Sequence, residues 1–119
     1  MSAESDLYSI LAGSAGVTAL VSTRIYPDAL PEDAIYPAIA FVRSTSDPVY
    51  AISNHYYGED VQLSIGCWGK TRTSADQVAE AVILALQTAG HAHSARSGGY
   101  DPDTGLFATT LDVRIFDLP

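Results

Sequence analysis

The chain has 119 residues, of which six are lysine or arginine and 14 are aspartate or glutamate, so its formal net charge is −8. That length predicts one domain over residues 1–119, and a hydrophobic fraction of 47% predicts a folded core rather than disorder. Lys70 is the only lysine and the arginines are scattered, whereas nucleic acids and anionic membranes attract clustered positive charge. The composition therefore argues against nucleic-acid or membrane binding as the main activity.

Cysteine usage and the first residues of the chain indicate its compartment. Cys67 is the only cysteine, which excludes an intramolecular disulfide and suits a reducing compartment. The first six residues are polar and acidic, unlike a signal peptide, and no apolar run approaches the ~20 residues that span a bilayer. We therefore expect a protein of the cytoplasm, or of an assembly built there.

The N-terminal third predicts a helical segment followed by an irregular connection. Within residues 5–21, apolar side chains recur at helical spacing on both sides of a break at Gly13 and Ser14. Residues 22–37 contain three prolines, which remove backbone donors and disfavour a central strand. We expect this connection to run extended over the surface of the core.

The first strand is predicted over residues 38–45. Ile39, Phe41 and Arg43 share one face of it, and small or apolar residues occupy the other. A strand with two largely apolar faces is typical of one that is covered on both sides or paired at an interface.

Residues 46–58 are polar and aromatic and are predicted as a loop. Asp47 and Pro48 form a turn signal, and loops commonly carry binding residues. Aromatic side chains are enriched at protein interfaces. Four residues of this segment are therefore candidates for protein contact: Tyr50, His55, Tyr56 and Tyr57.

The clearest strand covers residues 59–68, where apolar and polar residues alternate. Trp68 lies on its less apolar face, where a large aromatic either packs under a helix or marks a contact surface. Residues 73–89 have the spacing of the main helix, and Gly90 follows as its expected terminator.

The C-terminal part predicts two more strands, over residues 91–97 and 106–116, joined by a long turn over residues 98–105. The predicted order is thus α-β-β-α-β-β. This order predicts an α+β fold, with a mostly antiparallel four-stranded sheet and two main helices packed on one of its faces.

Two motifs resemble metal sites but are incomplete. His91 and His93 would share a strand face, yet a structural zinc site usually has four ligands, and nothing places His55 or Cys67 beside them. Residues 101–105 begin like a calcium loop, but Leu111 stands where the bidentate glutamate should be. Solvated histidines and an ordinary hairpin turn account for both, so we expect no metal and no cofactor.

No catalytic constellation is evident in the sequence. Cys67 lies on the apolar face of its strand, where a free cysteine usually behaves as a small buried hydrophobe. No nucleophile elbow, phosphate-binding loop or carboxylate pair stands out. We therefore expect a protein that is not an enzyme.

With these classes of function set aside, contact with other proteins is the remaining one. The two-sided strand, the tyrosine-rich segment and the tryptophan all suit protein–protein contact, although each aromatic could equally cap the core. The candidate interface residues are Ile39, Phe41, Arg43, Tyr50, His55, Tyr56, Tyr57 and Trp68.

The chain resembles the small tail-completion proteins of tailed bacteriophages, which also occur in prophages and gene transfer agents. The order and spacing of short motifs along nearly the whole chain carry the resemblance. These motifs are Leu7–Leu11, Val17–Val21, Arg24–Pro27, Pro31, Tyr36–Ile39, Val61–Trp68 and Asp101–Thr104.

The resemblance implies a virion structural protein that acts as a tail terminator. Such proteins form a ring, commonly a hexamer, on the finished tail tube, stop its polymerisation and present a surface to the head connector. The implied partners are further copies of the chain, the tail tube protein and the connector protein. The implied location is the head-proximal end of the tail, after synthesis in the host cytoplasm.

The acidic charge is compatible with such a ring, because DNA could cross an acidic channel without binding to it. Two alternatives stay open at this point. One is another head–tail connector component, such as a stopper or adaptor ring. The other is a small-molecule-binding α+β module with a pocket near Trp68 and Tyr57.

Overall fold

Alternation of apolar and polar residues over positions 61–67 of the central strand decides the architecture, because it gives the sheet one face that must be covered. The computed structural model describes residues 3–27, 30, 35–50 and 56–117. Its helices are α1 (Ala3–Ala12), α2 (Ala15–Val21) and α3 (Arg72–Thr88). Its strands are β1 (Ile25–Pro27), β2 (Ala38–Tyr50), β3 (Tyr56–Gly69), β4 (His93–Asp101) and β5 (Leu106–Asp117).

The five strands form one mixed sheet in the order β1-β2-β3-β5-β4. β1 pairs with β2 in parallel, and every other neighbouring pair is antiparallel. β3 lies in the middle, where it pairs with β2 on one side and with β5 along residues 59–69 on the other.

The alternating side chains of the central strand β3 show which face of the sheet is buried. Its side chains at Val61, Leu63, Ile65 and Cys67 are fully buried, and the residues between them are half-buried on the other side. We call these the helix-covered face and the open face. Thr109, Leu111, Val113 and Ile115 of β5 continue the buried set.

The helices supply the other half of the core. α1 contributes Leu7 and Leu11, and α2 contributes Val17 and Val21, all four fully buried. α3 adds Val78, Val82 and Leu86, which recur at helical spacing on one face. None of the described helices is both long and apolar enough to cross a membrane.

The α+β class is confirmed, and the predicted mostly antiparallel four-stranded sheet with two main helices on one face differs in detail. The described sheet has five strands, one of its four pairings is parallel, and the described helices number three. The fifth strand is β1, three residues long, which pairs with Ile39–Phe41 in parallel at the edge of the sheet. A proline is tolerated at an edge, and Pro27 ends this strand. The break at Gly13 and Ser14 separates two helices, and the Ser14 side chain caps α2 by accepting from the Val17 amide.

The described parts of the predicted loop over residues 46–58 are strand. β2 continues to Tyr50 and β3 begins at Tyr56, and these two residues pair across a hairpin. We call residues 46–50 and 56–58 the β2–β3 arm, and its residues 49–50 and 56–58 extend beyond the paired end of β5. Pro48 fits because β1 covers only the beginning of β2, so its outer edge is unpaired there among the described strands.

Half of the predicted turn over residues 98–105 is strand. β4 runs to Asp101, and only residues 102–105 turn. Gly98 marks a close approach rather than a turn, because a Cβ there would lie 3.0 Å from Nη1 of Arg72. The turn itself has the expected chemistry, since Gly105 has a φ of 72° and the Asp101 carboxylate accepts from the Asp103 amide.

We expect Leu63→Ala to lower the free energy of unfolding by about 2–5 kcal/mol, because it opens a cavity under the helices. Leu84→Ala is the matched control: Leu84 is 63% exposed on α3, so its truncation should change that free energy by less than about 0.5 kcal/mol. Urea denaturation followed by circular dichroism measures both variants. Equal effects would show that the helical layer does not cover β3.

Candidate assembly surface

Two of the candidate interface residues lie inside the core of the chain itself. Ile39 is fully buried and Phe41 is 3% exposed, both on the helix-covered face of β2. The opposite side of this strand carries Ala38, Ala40 and Val42, of which Val42 is 41% exposed. A role of Ile39 and Phe41 in partner contact stays a prediction, and it would act through the placement of β2.

Arg43 connects the helical layer to the start of the β2–β3 arm. Its guanidinium donates to Glu4 of α1, with 2.6 Å between Nη2 and Oε1, and also to the Ser46 hydroxyl over 3.0 Å. The Arg43 side chain is 34% exposed. It therefore holds the base of the arm against the first turn of α1.

The tyrosine-rich positions belong to the β2–β3 arm. Tyr50, Tyr56 and Tyr57 lie on its two strands, with Tyr50 opposite Tyr56 in the register. His55 lies outside the described residues. The backbone thus brings the three tyrosine positions together at one end of the sheet, in an elongated molecule that measures 51 Å along its longest axis.

Trp68 lies on the open face, opposite Ala38 of β2 and Ala108 of β5. Its indole lies over Gly66, since a Cβ at that glycine would be 2.9 Å from Nε1. Small and apolar side chains of the three middle strands surround it. We call the following set the Trp68 patch: Leu30, Ala40, Val42, Gly66, Trp68, Ala108 and Thr110.

The Trp68 patch borders a groove of about 390 Å³ that is open to the surface. None of the residues that line this groove is ionisable, so no convergent charged groups could orient a small molecule in it. A second groove of about 370 Å³ lies on the other side of the indole, beside Pro102. Open grooves of this kind count against the small-molecule-binding alternative.

The rest of the open face is polar and is paired across strands. The Ser64 hydroxyl donates to the Asp112 carboxylate over 2.9 Å, and Arg114 donates to Asp60 over 3.0 Å and to Gln62 over 3.3 Å. These side chains satisfy one another at the surface. The open face is therefore divided into an apolar half around Trp68 and a polar half toward the arm.

Sequence reasoning did not single out Arg72, the first residue of α3. Its guanidinium donates to the carbonyl oxygens of Gly99 over 3.0 Å and Ala108 over 3.2 Å. It also lies over the Phe107 ring, 5.2 Å from the centroid, and that ring packs on Tyr100. The sequence could have indicated its role, because a positively charged residue is disfavoured at a helix N-terminus unless it has a specific partner.

A second set of contacts fixes the β4–β5 hairpin to α3. The hydroxyl of Thr109, which is 2% exposed, donates to Asp76 over 2.8 Å. Arg96 of β4 donates to Glu80 over 2.7 Å, and this hydrogen bond raises the pKa of its guanidinium. With Arg72, these contacts attach the inner side of the β4–β5 hairpin to α3.

The titratable groups of the described residues do not assemble a reactive centre. Burial raises the pKa of the Cys67 thiol to about 12, against a smaller lowering by Arg96. Within the described ranges, no cluster of three or more histidine, cysteine, aspartate or glutamate side chains could hold a metal ion. His93 begins β4, and His91 precedes that strand.

Comparisons with known proteins give consistent results. The model of the family described as tail completion protein gp17 matches residues 5–116. Among solved structures, a chain of the virion of a native gene transfer agent particle superposes with a TM-score of 0.78. The two chains are 16% identical over 99% of this chain and 96% of that chain. No curated protein sequence matches significantly.

We expect Arg72→Lys to loosen the β4–β5 hairpin, because an ammonium cannot reproduce the planar fork that reaches two carbonyl oxygens and a ring. Hydrogen exchange measures this: protection of the β4 amides should fall by about 5- to 30-fold. Arg114→Lys is the matched control on the open face of β5, where an exposed pair with Asp60 contributes little. Equal protection in the two variants would contradict a positioning role for Arg72.

We expect Cys67 to resist alkylation in the folded protein. With a pKa of about 12, roughly one thiol in a thousand or fewer is ionised at pH 8.5, and the thiolate is the reactive form. Iodoacetamide labelling followed by mass spectrometry should modify the chain only in denaturant. Fast labelling without denaturant would show that Cys67 is accessible.

Proposed function

The chain belongs to the family of the tail completion protein gp17, and from this premise we propose that it closes the end of a phage-type tail tube as a ring. A structural role in a tail follows from the family membership itself. The proposal adds that the ring is a hexamer, that it stops polymerisation of the tube and that it provides the joint to the head connector.

The observation that carries this proposal is the extent of the family match, which covers residues 5–116 of the 119-residue chain. The whole fold is thus the functional unit, without a separate catalytic or ligand-binding part to explain. The solved structure that superposes over nearly the whole chain is also a component of a virion. A non-enzymatic role agrees with the raised pKa of Cys67 and with the shallow, uncharged groove at Trp68.

A ring requires two different surfaces on each copy, because head-to-tail contacts join unlike patches. The described residues offer such surfaces. The β2–β3 arm projects from one end of the sheet, and the Trp68 patch exposes apolar surface on the open face. We propose that the arm, through Tyr50, His55, Tyr56 and Tyr57, and the patch contact neighbouring copies, the tail tube protein or the connector protein.

The net charge of −8 supports passage of DNA through such a ring without binding. Acidic groups facing a channel repel the phosphate backbone and leave no site where DNA could be retained. We therefore propose that DNA is cargo that passes through the ring. The proposed location is the head-proximal end of the tail, with the host cytoplasm as the compartment before assembly.

A stopper or adaptor ring elsewhere in the neck is the alternative within the same structural class. The two differ in what they bind directly: a terminator binds the end of the tail tube, whereas a stopper or adaptor binds the connector on the head. Binding to purified tail tubes and to purified connectors separates them.

The first experiment is a mass measurement in solution combined with negative-stain microscopy, with and without purified tail tubes. We expect ring particles of about six copies seated on one end of the tubes. A protein that stays strictly monomeric and neither forms rings nor caps tubes would contradict the proposal.

We expect Trp68→Ala to weaken ring formation or tube capping by about 30-fold, the factor that corresponds to a ~2 kcal/mol interface anchor. Tyr8→Ala is the matched control, since Tyr8 is 43% exposed on α1, away from the open face. Unfolding by urea should show that both variants remain folded. If the two variants capped tubes equally well, the Trp68 patch would not be part of the interface.

A further inference from the structure

The outer edge of β4 is unusual among the features that the proposed function leaves unexplained. β4 pairs only with β5, so the backbone groups on its other side have no strand partner within the described part of the chain. Its residues from Ser94 to Tyr100 are all exposed. Hydrogen-bonding groups along an edge strand are a ready template for another strand.

β4 lacks most of the devices that usually protect such an edge. Its nine residues contain neither proline nor lysine, and five of them, Ser94, Ala95, Ser97, Gly98 and Gly99, are small. Arg96 is the one long cationic side chain, and its contact with Glu80 draws it back over α3. A register shift occurs between His93 and Ala95, which leaves residues 95–101 as a regular edge.

The opposite side of the sheet offers a second, different edge. β1 covers only Ile39–Phe41 of β2, so the outer side of β2 is unpaired from residue 42 onward among the described strands. Val42 begins this stretch and is 41% exposed, although it is apolar. Pro48 limits the stretch at the other end, because it has no N–H to donate.

The directions of the two edges fit each other. β2, β3, β5 and β4 are successively antiparallel, so β2 and β4 run in opposite directions within one sheet. Copies placed side by side in the same orientation therefore bring β4 of one beside β2 of the next as an antiparallel pair. Such a contact joins unlike surfaces and can close into a ring.

We propose that β4 of one copy pairs with residues 42–47 of β2 in the next copy, so that the sheet continues from subunit to subunit around the ring. This inference rests on the proposed ring and adds the junction that holds it together. The occupant of the β4 edge is thus a second copy of this chain.

The side chains at this junction are compatible with close pairing. Ala95, Ser97 and Gly99 lie opposite Asp112, Thr110 and Ala108, so they occupy the open face. Val42 lies on the same face of β2, opposite Ser64 of β3. Pairing would cover the exposed Val42 side chain with small residues that leave room for it.

The backbone of β2 also has the bend that a closed ring requires. A register shift between Arg43 and Thr45 marks a bulge within the stretch that would be paired. Bulges increase local twist and bend, and they are frequent where sheets close into barrels. The end of β1 at Pro27 would limit how far the incoming strand can slide, and so would help to fix its register.

Cysteine cross-linking tests this junction. The design uses three double variants that combine Val42→Cys with Ala95→Cys, Ser97→Cys or Gly99→Cys, because steps of two residues keep the same face. Within one copy the two edges are three strand spacings apart, roughly 14 Å, whereas a disulfide needs Cα atoms within about 7 Å. A bond can therefore form only between copies, and the buried Cys67 does not compete.

After oxidation in the presence of tail tubes, at least one double variant should give a ladder on a non-reducing gel that ends at the size of the ring. Val42→Cys combined with Leu84→Cys is the matched control and should give no ladder, because Leu84 is exposed on α3 in the helical layer. Each single variant should give at most a dimer, and only at low yield.

Three other outcomes would overturn the junction, and they differ in what they say about the ring. Rings seen by microscopy without a ladder from any double variant would reject edge pairing and leave the proposed function standing. Efficient dimers from Ser97→Cys alone would show two β4 edges paired about a two-fold axis instead. Absence of rings, with or without tail tubes, would reject the proposed function and the junction together.

Discussion

The structure depends on one constraint, which is that the helices cover only one face of the sheet. Leu63 and Leu111 are fully buried on that face, at the centre of the core. Because all three helices are used there, the described residues leave the open face and both long edges of the sheet without a helical cover. The surfaces available for assembly are thus a direct consequence of how the core is built.

The same constraint explains why the β4–β5 hairpin needs polar contacts. Gly98 and Gly99 contribute no side chains to the core, so this part of β4 has no apolar burial of its own to hold it. Arg72 replaces that burial with hydrogen bonds to two backbone carbonyl oxygens and a contact with the Phe107 ring. β4 is thus held through its inner side, while its outer side has no strand partner among the described residues.

Sequence reasoning predicted what depends on local periodicity. The alternation of β3, the helical spacing of α3 and the turn chemistry around Gly105 all specify their elements directly. It missed what depends on distant partners: β1 is strand because β2 lies beside it, and Gly98 is strand because it pairs with Thr109 of β5. The same reason applies to Ile39 and Phe41, since an apolar residue of a two-sided strand can face either a core or a partner, and the sequence does not distinguish these.

The net charge of the chain and the geometry of the β2 and β4 edges together limit the kind of assembly that the chain can build. A chain with a net charge of −8 repels its own copies at long range, so association must come from short-range contacts that outweigh this repulsion. The two edges of the proposed junction meet that need, because each carries one cation and one anion: Arg96 and Asp101 in residues 95–101, and Arg43 and Asp47 in residues 42–47. Backbone pairing is also directional, so it favours a closed series of like-oriented copies over unspecific clustering. The proposed acidic ring, held by edges without net charge, would combine self-assembly with a surface that DNA can pass without adhering.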